Sequence, residues 1–230
     1  SEIRMQYNNI QKAIFLRRPN RFIAHIEVDG REEVCHVKNT GRCRELLTDR
    51  ATIYVQHHDD DKRKTKYSLI AVEKGNLLIN MDSQAPNKVV GEWIKEQEPF
   101  GEVKLLKPEC KYGNSRFDFY LETATDKMFI EVKGVTLEED GIVRFPDAPT
   151  ERGIKHLEEL VACKKAGYKA AVIFVVQMEG MRHFEPNYKT HPAFAEALKR
   201  AQAAGVEVLA YECCVTPGSL AIAKAIPVQL

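Results

Sequence analysis

Two short stretches decide the fold: Ser115-Arg116-Phe117-Asp118-Phe119-Tyr120 and Phe129-Ile130-Glu131-Val132-Lys133-Gly134. Each reads as a strand, because Phe, Tyr, Ile and Val dominate and the link between them holds Thr, Asp and other turn-prone residues. Successive side chains on a strand alternate faces, so Glu131 and Lys133 share one side and Val132 takes the other. If the strands pair as a hairpin, Asp118, Glu131 and Lys133 converge on one patch, expected at one edge of a sheet. Two carboxylates suit a hard cation such as Mg²⁺ or Mn²⁺, and the nearby ammonium can bind phosphate or position a water. That combination is a phosphodiester-cleaving constellation. Its plain alternative is a cross-strand ion pair on an exposed sheet face.

An Asp followed by Glu-x-Lys resembles the metal-site core of the PD-(D/E)xK nuclease superfamily. Longer runs are more specific. Glu131-Val132-Lys133-Gly134-Val135-Thr136-Leu137-Glu138 and Phe145-Pro146-Asp147-Ala148-Pro149-Thr150-Glu151-Arg152-Gly153-Ile154-Lys155-His156-Leu157 resemble the sugar fermentation stimulation protein A family. So do Asn39-Thr40-Gly41, Lys111-Tyr112-Gly113 and the Pro227-Val228 ending, in the same order along nearly the whole chain. The resemblance implies an N-terminal OB-like barrel, a nuclease-like core, and binding to DNA without sequence specificity, with RNA as the lesser alternative.

The 230 residues can form one large domain or two small ones. A net charge of +1 gives no sign of general adhesion to nucleic acid, although residues 1–80 hold 15 Lys/Arg against 11 Asp/Glu. No apolar run approaches the length of a membrane span, and Ser1 to Tyr7 lacks a signal-peptide core. The six cysteines form no C-x-x-C pair, so reduced thiols in a cytoplasm are expected.

Strand-like runs at Ala13–Arg17, Phe22–Val28, Glu33–Lys38, Thr52–Gln56, Tyr67–Glu73 and Leu77–Ile79 predict a small barrel over residues 1–82, with a helical turn or two near 40–47. Asp29-Gly30 is a hairpin signal. The polar, Pro-containing segment Asp82 to Asn87 predicts a boundary. Beyond it, over 83–230, the pattern predicts an α/β domain ordered helix, strand, strand, strand, helix, strand, helix, strand. Its helices are expected at Asn87–Gln97, Thr150–Ala166 and Pro192–Ala204.

A hydrolytic site gains from a further acid, and Glu92 on the first helix and Glu109 before the first strand are the two candidates. Arg152, Lys155 and His156 open the second helix opposite its apolar stripe. They read as a phosphate clamp or, more plainly, as a solvated face. Gly153 among them costs about 0.8–1 kcal/mol relative to Ala, which asks for a close approach there. Arg42, Arg44 and Lys64 are the expected nucleic-acid contacts of the barrel. Two function classes follow: a Mg²⁺- or Mn²⁺-dependent nuclease, or a non-catalytic DNA-binding regulator of sugar-metabolism genes. The intact carboxylate pair favours the nuclease, because two acids facing a polyanion repel it unless a cation intervenes.

Overall fold

The computed structural model describes residues 5–39 and 41–230. Ser1 to Arg4, and Thr40 of the Asn39-Thr40-Gly41 motif, lie outside the described residues.

After a two-residue strand β1 (Met5–Gln6), the first third is built from β2 (Ile10–Arg17), β3 (Ile23–Val28), β4 (Arg31–His36), β5 (Thr52–His57), β6 (Tyr67–Lys74) and β7 (Leu77–Asn80). The alternation in β3, with Ala24, Ile26 and Val28 buried, turns one face into a barrel core. Asp29 and Gly30 both take positive φ, as the two central residues of a type I′ hairpin must. Strands run β4-β3-β2-β5-β6, and a parallel pairing of Cys35 with Tyr67 and His36 with Ser68 closes the ring. The result is a five-stranded Greek-key barrel of OB type. The expected helical turn lies at 43–47, where the N–H groups of Leu46 and Leu47 both donate to the Cys43 carbonyl.

The second domain contains α1 (Ala85–Gln97), β8 (Val103–Tyr112), β9 (Ser115–Thr123), β10 (Lys127–Val135), β11 (Leu137–Glu139), β12 (Ile142–Phe145), α2 (Glu151–Lys165), β13 (Lys169–Val176), β14 (His183–Pro186), α3 (Pro192–Ala203), β15 (Glu207–Thr216) and β16 (Ser219–Ala225). Its main sheet is ordered β1-β16-β15-β13-β10-β9-β8. The three central strands β10, β13 and β15 are parallel, and β13 is buried from Ala170 to Val176, as a strand covered on both faces must be. A small sheet β11-β12-β14 sits beside it.

Four strand regions carry little local signal. β8 carries four charges and Pro108, which suits an edge strand and reads as a connector. The acidic run at 138–140 lies in a hairpin of β11 and β12 that turns at Asp140 and Gly141. β14 and β16 are short or Ala-rich. The division at residue 82 is also crossed, because Met5 and Gln6 pair with Leu220 and Ser219 in the second domain's sheet.

The sheet separates two cores. Met128, Ile130 and Val132 of β10 pack with Val89, Val90, Trp93 and Ile94 of α1. Phe129 and Val135 pack on the other face with Leu157, Leu160 and Cys163 of α2 and Phe194 of α3. Each such fully buried side chain stabilises the fold by roughly 1.5–3 kcal/mol. Because β10 alternates, Glu131 and Lys133 must face α2.

The domains are tied together at buried polar groups. Gln177, at the end of β13, donates through Nε2 to Asn80 Oδ1 at 2.9 Å and to the Asp82 carbonyl at 3.1 Å. Lys74 of the barrel pairs with Glu138 at 2.7 Å.

Candidate metal centre and nucleic-acid interface

β9 and β10 pair in antiparallel register from Glu122↔Lys127 to Phe119↔Ile130, and there the backbone ladder stops. At the next position side chains replace it. The Asp118 N–H donates to Glu131 Oε1 at 3.2 Å, and the Val132 N–H donates to Asp118 Oδ2 at 2.7 Å. Asn87, in the first turn of α1, donates to Asp118 Oδ1 at 3.0 Å. Phe117 lies in one core and Phe119 in the other, so regular alternation breaks at Asp118. On the neighbouring strand Glu109 takes φ +52° between the pairs Pro108↔Phe119 and Cys110↔Phe117, a second irregularity at the same level. The acids therefore meet at a gap between two strands inside the sheet, not at its edge, because β8 lies beyond β9 and β13 beyond β10.

Glu131 is only 3% exposed. Burial, and then the charge of Asp118, push its carboxyl up to about 8. Its Oε2 lies 3.7 Å from Lys133 Nζ and 3.2 Å from His156 Nδ1, and those two nitrogens are 2.8 Å apart. Burial holds Lys133 below the ordinary lysine range, although Glu131 and Asp118 pull it back. Burial, then Lys133, Arg152 and Lys155, push His156 down to about 4. At neutral pH the imidazole is thus uncharged, and in its Nε2–H tautomer Nδ1 accepts a hydrogen bond from Lys133 Nζ.

α2 delivers His156 through its cap. Thr150 Oγ1 accepts from the Gly153 N–H at 2.9 Å, fixing the first turn. A Cβ on Gly153 would meet Thr150 Cγ2 at 2.8 Å and Phe194 Cε2 at 3.2 Å. The close approach expected at this glycine is therefore made by the cap residue and α3.

Two carboxylates driven together in a buried gap suit a hard divalent cation, which would offset both the burial and the Asp118 repulsion that hold Glu131 near protonation. Among the described residues, no third His, Cys, Asp or Glu completes a metal-binding group. Waters or substrate oxygens would fill the remaining positions.

The structure brings together Asp118, Glu131, Lys133 and His156, with Arg152 near enough to depress both Lys133 and His156. It does not bring in the other candidates. Glu92 lies on α1 beyond Asn87, and the charges that act on it are Lys88, Glu96 and Lys95 rather than the two acids. Glu109 is exposed and pairs with Arg116 at 3.0 Å. Lys155 is exposed and pairs with Glu159 at 3.7 Å. His156 does not sit on a solvated face, its side chain being 14% exposed. Asn87 and Gln177 escaped sequence reasoning. Asn87 reads as an ordinary helix start after Pro86, and Gln177 as a strand end.

On the barrel, Arg42 and Arg44 line a cavity of about 620 Å³ with Arg18, Arg21, Asn20, Pro19, Phe15 and Leu47. Arg18 is spent on structure, donating to the carbonyls of Arg21, Asn39, Gly41 and Arg42 at 2.6–2.7 Å. Lys64 is exposed in the β5–β6 loop, apart from that cavity. A second cleft, of about 150 Å³, lies between the domains and is lined by Asn39 and Gly41 on one side and by Ser83, Pro86, Gly134 and Asp147 on the other. Gly134 follows Lys133, and a Cβ there would meet Gln177 Oε1 at 2.7 Å and Pro86 Cγ at 2.9 Å.

Known proteins place this architecture. Residues 84–219 match the family described as "Sugar fermentation stimulation protein RE domain", and residues 16–81 match "SfsA N-terminal OB domain". A "Sugar fermentation stimulation protein homolog" of Clostridium beijerinckii is 60% identical over 226 residues, covering 98% of this chain and 100% of the relative. One from Desulfitobacterium hafniense is 56% identical, covering 98% and 99%. The solved structure of Pyrococcus furiosus SfsA in complex with Ca²⁺ superposes with a TM-score of 0.89 at 27% identity, covering 100% of both chains. The two-domain order, the barrel and the length of the match together show that this chain belongs to the sugar fermentation stimulation protein family.

Proposed function

We propose that this protein binds nucleic acid and cleaves its phosphodiester backbone with a divalent cation, Mg²⁺ or Mn²⁺, held by Asp118 and Glu131. The observation that carries the reading is the burial of Glu131 against Asp118 in the gap between β9 and β10, with a lysine and a neutral histidine at its edge. The Ca²⁺ complex of the Pyrococcus relative supports it, since Ca²⁺ is also a hard cation that takes oxygen ligands. The bound cation supplies charge neutralisation at the phosphate and lowers the pKa of water.

The chain's own groups do the rest. Asn87 and the Val132 N–H hold the Asp118 carboxylate in one orientation. Lys133 Nζ, depressed by burial, orients the attacking water or a phosphate oxygen. His156 Nδ1 fixes that nitrogen by accepting its hydrogen bond. Exposed Arg152 forks to a phosphate at the mouth of the site.

A second reading draws on one observation: both Asp118 oxygens already accept protein hydrogen bonds. In that reading the core only holds DNA, and the protein is a regulator of sugar-metabolism genes. A cleavage time course on labelled duplex and single strand, with Mn²⁺ and with chelator, separates the two. Cation-dependent cleavage by wild type that is absent in Glu131→Gln and Lys133→Ala is expected. No cleavage by nuclease-free wild type, or undiminished cleavage by Glu131→Gln, overturns the catalytic reading.

A further inference from the structure

At the rim of the barrel two basic side chains meet one buried hydroxyl, and two more lie close by. Ser68, at the start of β6, is fully buried. Its Oγ lies 2.8 Å from His58 Nε2 and accepts from the Arg63 guanidinium at 3.4 Å. Directly across the parallel closure of the barrel, His36 of β4 is paired with Ser68. Lys38, two residues on, is close enough that it and Arg63 both depress His36 and His58, after burial itself. The loop that carries Arg63 is fixed, since Arg63 Nε donates to the Thr65 carbonyl at 3.2 Å and the His58 N–H donates to the Lys66 carbonyl at 2.7 Å.

Among the described residues, no carboxylate pairs with Lys38, Arg63, His36 or His58. The acid that bears on His58, Asp59, is engaged by His57 at 3.1 Å. The half-buried cations Lys38 and Arg63 therefore lack a counter-ion, and an anion between them converts their repulsion into affinity. The ammonium and guanidinium offer donors suited to a phosphate, and the two imidazoles add ring N–H donors.

Position makes the anion a backbone phosphate. The Lys38 carbonyl accepts from the Ser83 N–H at 2.9 Å, just before α1 begins. The next residue, Asn39, lines the interdomain cleft that reaches Pro86 and Gly134, and these neighbour Asn87 and Lys133 of the acid gap. We infer that Lys38, Arg63, His36 and His58 form a phosphate-binding subsite on the barrel, which holds the backbone of a nucleic-acid strand whose neighbouring portion crosses the interdomain cleft to Asp118 and Glu131. This deepens the nucleic-acid reading above but needs no cleavage.

The test is made on the full chain in chelator, so that no strand is cut. The imidazole ¹H–¹³C signals of His36 and His58, assigned with His36→Gln and His58→Gln, are followed during titration with a 12-nucleotide single strand and, separately, with inorganic phosphate. Both signals should shift at strand concentrations far below those of phosphate needed for the same effect. In parallel, Lys38→Gln/Arg63→Gln should weaken strand binding about tenfold per contact and lower the salt slope by about 0.7 for each. Signals that respond to phosphate but not to the strand would make this a free-anion site and overturn the inference. So would signals unmoved by either, even if the double variant fails to fold. Strand binding lost in Arg42→Gln/Arg44→Gln while both histidines stay silent would leave the nucleic-acid reading standing and this subsite wrong.

Discussion

The Val132 N–H donates to Asp118 Oδ2 at 2.7 Å, in the place where a β10 amide would otherwise meet a β9 carbonyl. An acid has been built into the hydrogen-bonding ladder of an interior strand pair. The ladder fixes the carboxylate as firmly as it fixes the backbone. This orientation is set without any group that must move when substrate arrives.

Asn87 completes that hold from α1. Asn87→Ala should leave the fold intact, because the residue lies on an exposed helix face, yet lower Mn²⁺ affinity about 10-fold or more, the usual effect of removing a partner behind a ligand. Calorimetric titration of Mn²⁺, with circular dichroism as the fold control, checks this. Asp118→Ala should abolish the same binding.

Glu131 makes stability depend on pH when no cation is present. Its carboxyl sits at about 8 in the folded chain and near 4.5 when unfolded, so the folded state binds the extra proton between those values. That contribution is fully present below about 4.5 and is lost as pH rises through about 8. His156, pushed down to about 4, acts in the opposite sense, but only between about 4 and 6.5. In chelator, melting temperatures should therefore fall from pH 6.5 to 8.5 in wild type and fall less in Glu131→Gln. Saturating Mn²⁺ should raise the wild-type value most at the alkaline end, where the carboxylate is free to bind.

Gly153→Ala runs against helix propensity. Ala should gain about 1 kcal/mol in a helix, but here its methyl would sit 2.8 Å from Thr150 Cγ2 and 3.2 Å from Phe194. The cap and α3 must give way, and a net loss of about 1–3 kcal/mol is expected by denaturant unfolding, as for other overpacked sites. A stabilised variant would show that α2 can shift freely.

The seam between the domains depends on Gln177. Gln177→Ala removes two buried hydrogen bonds, leaving Asn80 Oδ1 and the Asp82 carbonyl with only the N–H groups of Asp82 and Ala85, a loss of about 1–3 kcal/mol. Asp82, Ala85 and Pro86 are themselves buried, so wild type should resist limited proteolysis near Asp82–Asn87 and the variant should be cut there. Equal resistance would place the strength of the seam elsewhere, with Lys74 and Glu138 the first pair to examine.

Local signals alone determined a good deal. Alternation and the Asp29-Gly30 turn placed the barrel strands, and the period of two put Glu131 and Lys133 on one side. These are properties of neighbouring residues, and neighbours are what a sequence displays. Tertiary structure decided the rest. The pairing of Met5 with Leu220 joins the first described residue to the last strand, and no composition signals a contact across 215 positions. The edge strand at Val103–Tyr112 hides behind its charges, since an edge needs only one buried face. Glu92 and His156 changed places for the same reason. Both sit on helices with charged neighbours, and only the packing of α1 and α2 on opposite faces of the sheet decides which of them meets Glu131.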